Sequence, residues 1–485
     1  MGVDCPKDAT ERDGRCIFHS EIEGKDPARF EQALDGVGRT GEARWTGWVI
    51  PISCDFREAT FTQDTDFRGA TFTQDASFSG ATFIRDANFT GAIFAKDADF
   101  RRATFTHGAD FSAAQFTQDA GFRGANFTQD AEFSEATFAQ HADFSEATFA
   151  RRVGFSEATF TRWAEFGAAA FTQDADFSGA TFTRGADFSA ATFTHDAEFI
   201  GATFTQDAAF SGASFAQDCY FVGVFKRSAQ FDRAIFKGRA TLQDCQLAEP
   251  SRFDDADVAR VTFRRCRLAG AGFAHAFNLN DATFDQCDWG RWAPPHERTP
   301  GWLNRILGPE SVAAVVWEET QARDVMAGRI TAERTQQALF QEAETVYREV
   351  RRSLETHKHF READRFATRE LEMRRLGNLS GPKTDWIDWL WGELRANLFS
   401  IPAAYQLFGG YGQSIRRPAL WLVFVLFALG PWLLNWIDTA AFPSGWTGYT
   451  DGVVRTMRTV ALLPDLPIPP GGQAHRRLLG AFAKQ

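Results

Sequence analysis

The chain has 485 residues, a formal net charge of −11, seven cysteines and 50 phenylalanines. An acidic balance of this size disfavours nucleic acid as a partner. The odd cysteine count, with no secretory signal in MGVDCPKDATERDGRC, points to a reducing compartment rather than a disulfide scaffold. Phenylalanine placement excludes an ordinary globular core: 31 of them run from Phe56 to Phe221, at intervals alternating strictly between five and six residues.

Residues 1–53 read as an N-terminal cap. Cys5, Cys16 and His19 are the zinc candidates, but they are one ligand short of a structural site and off the spacing of a standard finger. A lid over the first coil, with a short helix near Asp26–Gly36, fits better, because the end of a solenoid leaves unpaired edges. Pro6 stands where a myristoylation signal needs Ser or Thr.

Residues 54–291 carry an eleven-residue period, seen in ATFTQDADFSG at 169–179 with Ala at the first Thr position. Each Phe follows a small residue two places earlier, as in Ala70 and Phe72 or Ala76 and Phe78. Helical spacing of three and four is absent, and so is the long alternation of a flat strand. Short sides of five, six, five and six residues satisfy the pattern and close a coil of 22. The predicted core is Phe61, Phe72, Phe83, Phe94, Phe105 and Phe116 with their repeats, Phe61 lying over Phe83 and Phe105. Coils then rise about 4.8 Å, and each offset ring pair adds roughly 0.5–1.5 kcal/mol beyond burial.

These residues resemble the pentapeptide-repeat proteins, whose consensus is Ala-Asp/Asn-Leu/Phe-x-x. The resemblance implies a mainly β fold, a right-handed quadrilateral β-helix, here of about ten coils. This chain departs from the consensus by inserting one residue in every second pentapeptide, such as Asp64. After Phe221 the spacing loosens and continues through Phe225, Phe231, Phe236, Leu242 and Leu247 to Phe284 and Trp289.

Cys54, Cys219, Cys245, Cys266 and Cys287 all fall in the small inward slot and are expected to pack as buried thiols. Residues 51–290 hold 33 acidic and 21 basic side chains, so the negative excess belongs to this region. The inserted Asp64, Asp75, Asp97, Asp119, Asp130, Asp174 and Asp207 sit at expected corners, where a carboxylate accepts backbone N–H groups. Some members of the resembled family bind DNA gyrase with an acidic rod, which implies one alternative function.

Residues 292–381 form a helical neck. Helical spacing places Ala338, Leu339, Ala343, Val346, Tyr347, Val350 and Leu354 on one helix. His357-Lys358-His359 makes a solvated turn, and Ala363, Phe366, Ala367, Glu370, Leu371 and Met373 resume the pattern up to a stop at Gly377. The pair is similar to one tetratricopeptide hairpin. In residues 382–415, DWIDWLWGELRANLF reads as an amphipathic interfacial helix followed by a linker.

Residues 416–485 begin with Arg416 and Arg417 and continue with an uncharged stretch, 418–437, that is long enough to cross a bilayer as a transmembrane helix. Trp421, Trp432 and Trp436 complete the expected anchor. The preceding arginines put the N-terminal side in the cytoplasm, which predicts a single-pass protein of the cell membrane. This block resembles the C-terminal region of membrane-bound pentapeptide-repeat proteins, which implies a two-helix, potassium-channel-type pore with Thr456 and Thr459 in the pore-loop place. Two departures stand out: the Gly-Tyr-Gly filter is missing there, with Arg455 and Arg458 disfavouring cations, and the basic, Pro/Gly-rich PIPPGGQAHRRLLGAFAKQ stands where a second span is expected.

No nucleophile–base pair, phosphate loop or metal motif appears, so neither enzyme activity nor a cofactor is expected. The leading expectation is a membrane-anchored interaction scaffold that engages an unknown protein partner and membrane lipid. The alternatives are a homo-oligomeric, channel-like pore component that uses the rod as a sensor, and an acidic rod that inhibits a DNA-binding enzyme.

Overall fold

A small residue and a Phe two places apart both face inward only where the chain between them is extended, so each pentapeptide writes one very short strand. The computed structural model describes residues 45–290, 315–326, 328, 331 and 334–380. It shows a parallel β-solenoid of about 11 turns followed by helices. That is one turn more than the expected ten: the face that begins at Cys54–Asp55 alone stacks 11 strands, because the last coils take 21 or 20 residues instead of 22.

Four strands make one coil. The first face stacks Val49–Ile50, Thr71–Phe72 and Ile93–Phe94, and the second stacks Cys54–Asp55, Ala76–Ser77 and Ala98–Asp99. The third stacks Thr60–Phe61, Thr82–Phe83 and Thr104–Phe105, and the fourth Thr65–Asp66, Ala87–Asn88 and Ala109–Asp110. Phe61 pairs with Phe83, and Phe83 with Phe105, all in parallel register. Their ring centroids lie 4.7 Å apart and the rings are nearly parallel. Phe72, Phe94 and Phe116 form a second column at 4.8 and 4.9 Å.

Two further columns fill the centre, one through Phe67, Phe89 and Phe111 and the other through Phe78, Phe100 and Phe122. They meet edge to face: Phe111 lies 5.3 Å from Phe100 and 5.4 Å from Phe122, at 85° and 88°. Every ring is therefore stacked along the rod and T-packed across it, both of which are favoured by the aromatic quadrupole. Beyond residue 204 the coils shorten. Ala208 pairs with Ala229 and Ser251 with Ala271, while the column continues as Phe221, Leu242, Phe263 and Phe284.

Each Phe that follows an outward Asp, Ser or Asn closes a tight turn. Ala70 N–H bonds to Phe67 O at 3.0 Å, and Ala114 N–H to Phe111 O likewise. The third turn residue has positive φ, +61° at Gly69 but also +54° at Ala113. A Cβ in this region costs about 1 kcal/mol or more. Ala113→Gly is therefore expected to raise stability by about 0.5–1 kcal/mol in urea unfolding, while Ala114→Gly, at a buried inward position, lowers it.

The rod's first coil is covered by Trp45, which lies 5.5 Å from Phe56 and 5.1 Å from Phe67 and stacks on Trp48. Three helices pack at the far end: α1 Trp317–Met326, α2 Gln336–Thr356 and α3 Phe360–Leu379. The expected helix pair is present, and the hydroxyl of Thr335 caps α2 by accepting Ala338 N–H. Two local expectations are corrected. Gly377 lies inside α3 instead of ending it, with Phe340 Cβ 3.5 Å from where its own Cβ would stand, so it serves close helix packing. His357 is half-buried, its Nε2 3.1 Å from Thr283 Oγ1 on the rod, rather than a solvated turn residue.

Among the described residues, no helix is long and apolar enough to cross a membrane. The segment 418–437, the interfacial helix, the anchor residues Arg416, Arg417, Trp421, Trp432 and Trp436, and Thr456 and Thr459 all lie outside the described residues. So do Cys5, Cys16, His19 and the expected helix near Asp26–Gly36.

Candidate interaction surface

The strand period forces alternate residues outward, so each face displays a column of repeated side chains. On the first face these are Thr71, Ile93, Gln115, Thr137, Thr159 and Thr181, and on the third Thr60, Thr82, Thr104, Asn126 and Thr148. No charge interrupts these columns. Hydroxyls beside them are pinned to the coil before, as Thr106 Oγ1 donates to Phe83 O at 2.9 Å and Thr117 Oγ1 to Phe94 O at 3.1 Å. The second and fourth faces carry the acid instead, through Asp55, Asp99, Asp143 and Asp187 on one and Asp66, Asp110, Glu132, Asp176 and Glu198 on the other. Up to the point where the coils shorten, the four-sided rod thus has two uncharged and two acidic strand columns; beyond it Asp257, Arg267 and Asp288 enter the uncharged pair.

The carboxylates are held in two ways. In Asp-Phe-Arg sequences the acid takes a fork from the next outward residue: Arg68 Nε and Nη2 reach Asp66 at 2.9 and 2.7 Å, and Arg101 reaches Asp99 at 2.8 and 2.7 Å. The hydrogen bonds from Arg57 lower Asp55 to about 2. Corner carboxylates, by contrast, reach the next coil. Asp86 accepts Gly108 N–H at 3.1 Å, Asp97 accepts Asp119 N–H at 3.3 Å and Asp196 accepts Asp218 N–H at 3.1 Å. The inserted residue therefore ties coils together along a corner rather than closing its own turn. Around Glu198 no arginine fork forms, and burial with Asp176, Asp196 and Asp174 raises its pKa.

One corner breaks its own pattern. Where Asp75, Asp97, Asp119 and Asp207 stand in register, His141, Trp163 and Gly185 intervene. Trp163 is 52% exposed, the most open indole among the large apolar residues of the rod. Its ring lies against the next coil so closely that a Cβ on Gly185 would come within 2.0 Å of it, so glycine is needed beneath. His141 Nε2 sits 3.0 Å from Glu165 Oε1 beside it. Arg162 and Arg184 immediately precede Trp163 and Gly185 in the sequence.

The five rod cysteines occupy the inward slots, Cys287 less deeply than the others. Cys245, Cys266 and Cys287 stack at one corner, donating to Phe221 O, Leu242 O and Phe263 O at 3.3, 3.1 and 3.3 Å. Burial pushes the Cys54 and Cys287 thiols up to about 12. Thiols held protonated in this way are packing groups. Among the described residues no group of three His, Cys, Asp or Glu is placed to hold a metal ion.

Sequence reasoning missed α1 and the polar groups under it. Glu319 is buried and accepts Tyr347 Oη–H and Arg323 Nε–H, both at 2.5 Å, and it also pairs with Arg369. Its neighbour Glu318 is buried against the rod and accepts Phe273 N–H. Trp163 was missed as well, although it departs from the Asp of its repeat position; the acidic pair of α1 has no such signal.

A family model described as pentapeptide repeats (9 copies) matches residues 53–93, 89–137, 100–148, 122–170 and 144–192. No curated protein matches the chain.

Proposed function

We propose that this pentapeptide-repeat solenoid is a non-enzymatic protein-interaction scaffold, tethered to the cell membrane through residues 418–437 with the rod in the cytoplasm. The observation that carries the reading is the patterned surface. A stack needing only burial has no use for a half-exposed Trp163 seated on Gly185, in a corner that carries Asp before His141 and again at Asp207. Exposed aromatic residues flanked by arginine are enriched where proteins bind one another. The second and fourth faces supply charge that steers the encounter, and the uncharged span in the sequence supplies the tether.

The test places a photo-crosslinking phenylalanine analogue at position 163, at Asp143 and at Thr148 of the full-length chain in cells. A discrete adduct is expected from 163 and is expected to weaken at Thr148, in the membrane fraction. A chain ending at Gly381 should give the adduct in the soluble fraction. Equal, diffuse labelling at all three positions would overturn the scaffold reading, and recovery of the full-length protein in the soluble fraction would overturn the tether. The acidic-rod alternative draws on the same two faces, and a strong Asp143 adduct with a DNA-binding enzyme would favour it. Self-adducts in a detergent-stable oligomer would favour the channel-like alternative.

A further inference from the structure

We propose that Glu318 is a proton-operated latch for the helical cap: α1 seats on the last coils while this carboxyl is neutral, and ionisation loosens the seat. Glu318 lies in the first turn of α1, 4% exposed, and accepts the backbone N–H of Phe273 in the rod's last coils. Its second oxygen, Oε2, is buried with no hydrogen-bond partner. A carboxylate in that position would hold an unpaired charge away from water, which is strongly unfavourable. A neutral carboxyl leaves only a hydroxyl to place.

Among the described residues no cationic side chain pairs with it, and only the backbone N–H groups of Phe273 and of Glu318 itself favour its charged form. From the rod come Asp254, and Glu249 and Arg252, which are engaged with Trp317: its Nε1 donates to Glu249 Oε1 at 2.8 Å, and the Arg252 guanidinium lies 5.9 Å over its ring. From α2 comes Glu342, bound to Arg334 at 2.6 Å and 4.0 Å from His275 Nε2. On α1 itself Glu319 is taken by Arg323, Tyr347 and Arg369. Burial first, with Asp254 and Glu342 adding to it, pushes Glu318 from 4.5 up to about 7, against the opposing hydrogen bonds of its own and the Phe273 backbone amides.

The sign follows from linkage. A carboxyl with a raised pKa in the docked state and an ordinary one when released binds its proton more tightly while docked. The seat is therefore at full strength below pH 4.5, weakens up to about tenfold per pH unit as pH rises towards 7, and levels off above that. Cytoplasmic pH lies near the upper end of this window, where the cap is most easily released and acidification fastens it. Release uncovers the rod's last coils at Gly272 and Phe273, an edge able to pair with another chain.

Hydrogen exchange of the full-length protein between pH 5 and 8, corrected for intrinsic rates, tests the latch. Opening of α1 and of the Phe273 amide is expected to rise by roughly forty-fold between pH 5 and 7 and then flatten, gaining only about another twofold by pH 8. Glu318→Gln, which keeps the acceptor for Phe273 and cannot ionise, is expected to remove this rise while leaving α2 protection at its acid value. His275→Asn is expected to retain the rise. A flat profile in the wild-type protein, or an unchanged profile in Glu318→Gln, would overturn the proposal.

Discussion

Phe133→Ala is expected to lower the rod's stability by about 4–5 kcal/mol, at the upper end of core Phe truncations. Phe133 is fully buried in a central column, stacked 4.9 Å from Phe111 and 4.8 Å from Phe155. It is also T-packed on Phe122, Phe127 and Phe144 at 5.4, 5.8 and 5.2 Å. Truncation opens a gap that the coils cannot close, because their rise is fixed by the hydrogen bonds of four faces. Phe133→Leu is expected to cost only about 1–2 kcal/mol, since Leu242 already continues the Phe221 column. Thr137→Ala, outward on the next strand, should stay within about 0.5 kcal/mol. Because each coil touches only its neighbours, hydrogen exchange should localise the damage to the coils around residue 133. A loss below about 1 kcal/mol by urea unfolding would show that the columns do not hold the rod together.

Glu319→Ala is expected to cost about 3–5 kcal/mol, the range for removing one partner of a buried ion pair. Glu319 has no exposure, and the side chains of Arg323 and Arg369 are only 11% and 16% exposed. Without the carboxylate both guanidiniums lose this buried partner, and the buried Tyr347 hydroxyl loses the acceptor it has on Glu319. The three helices meet at this one group, so the loss should appear as exchange across α1, α2 and α3 together while the rod coils stay protected. Glu319→Gln keeps an acceptor but not the charge and should fall between the two. If Glu319→Ala leaves the cap within about 1 kcal/mol of wild type, the helices are held by Phe340, Val346, Tyr347 and Phe366 packing alone.

The two substitutions probe different kinds of information. The sequence alone determined the rod: the 22-residue coil, Phe61 over Phe83 and Phe105, small residues and five cysteines in the inward slots, and two helices joined at His357–His359. These were legible because a solenoid repeats its contacts at a fixed separation along the chain, so a regular period already states who touches whom. Amphipathic spacing does the same within a helix. Only the tertiary structure decided that corner carboxylates reach the coil after their own, that the four strand columns alternate between uncharged and acidic until the coils shorten, and that Trp163 rests on Gly185. It alone placed α1, gave Gly377 a packing role inside α3, and brought Glu319 to Tyr347 and Arg369, residues 28 and 50 positions away. Those contacts occur once, at separations set by how the cap happens to seat on the rod, and a contact without a period leaves no trace in the chain's regularities.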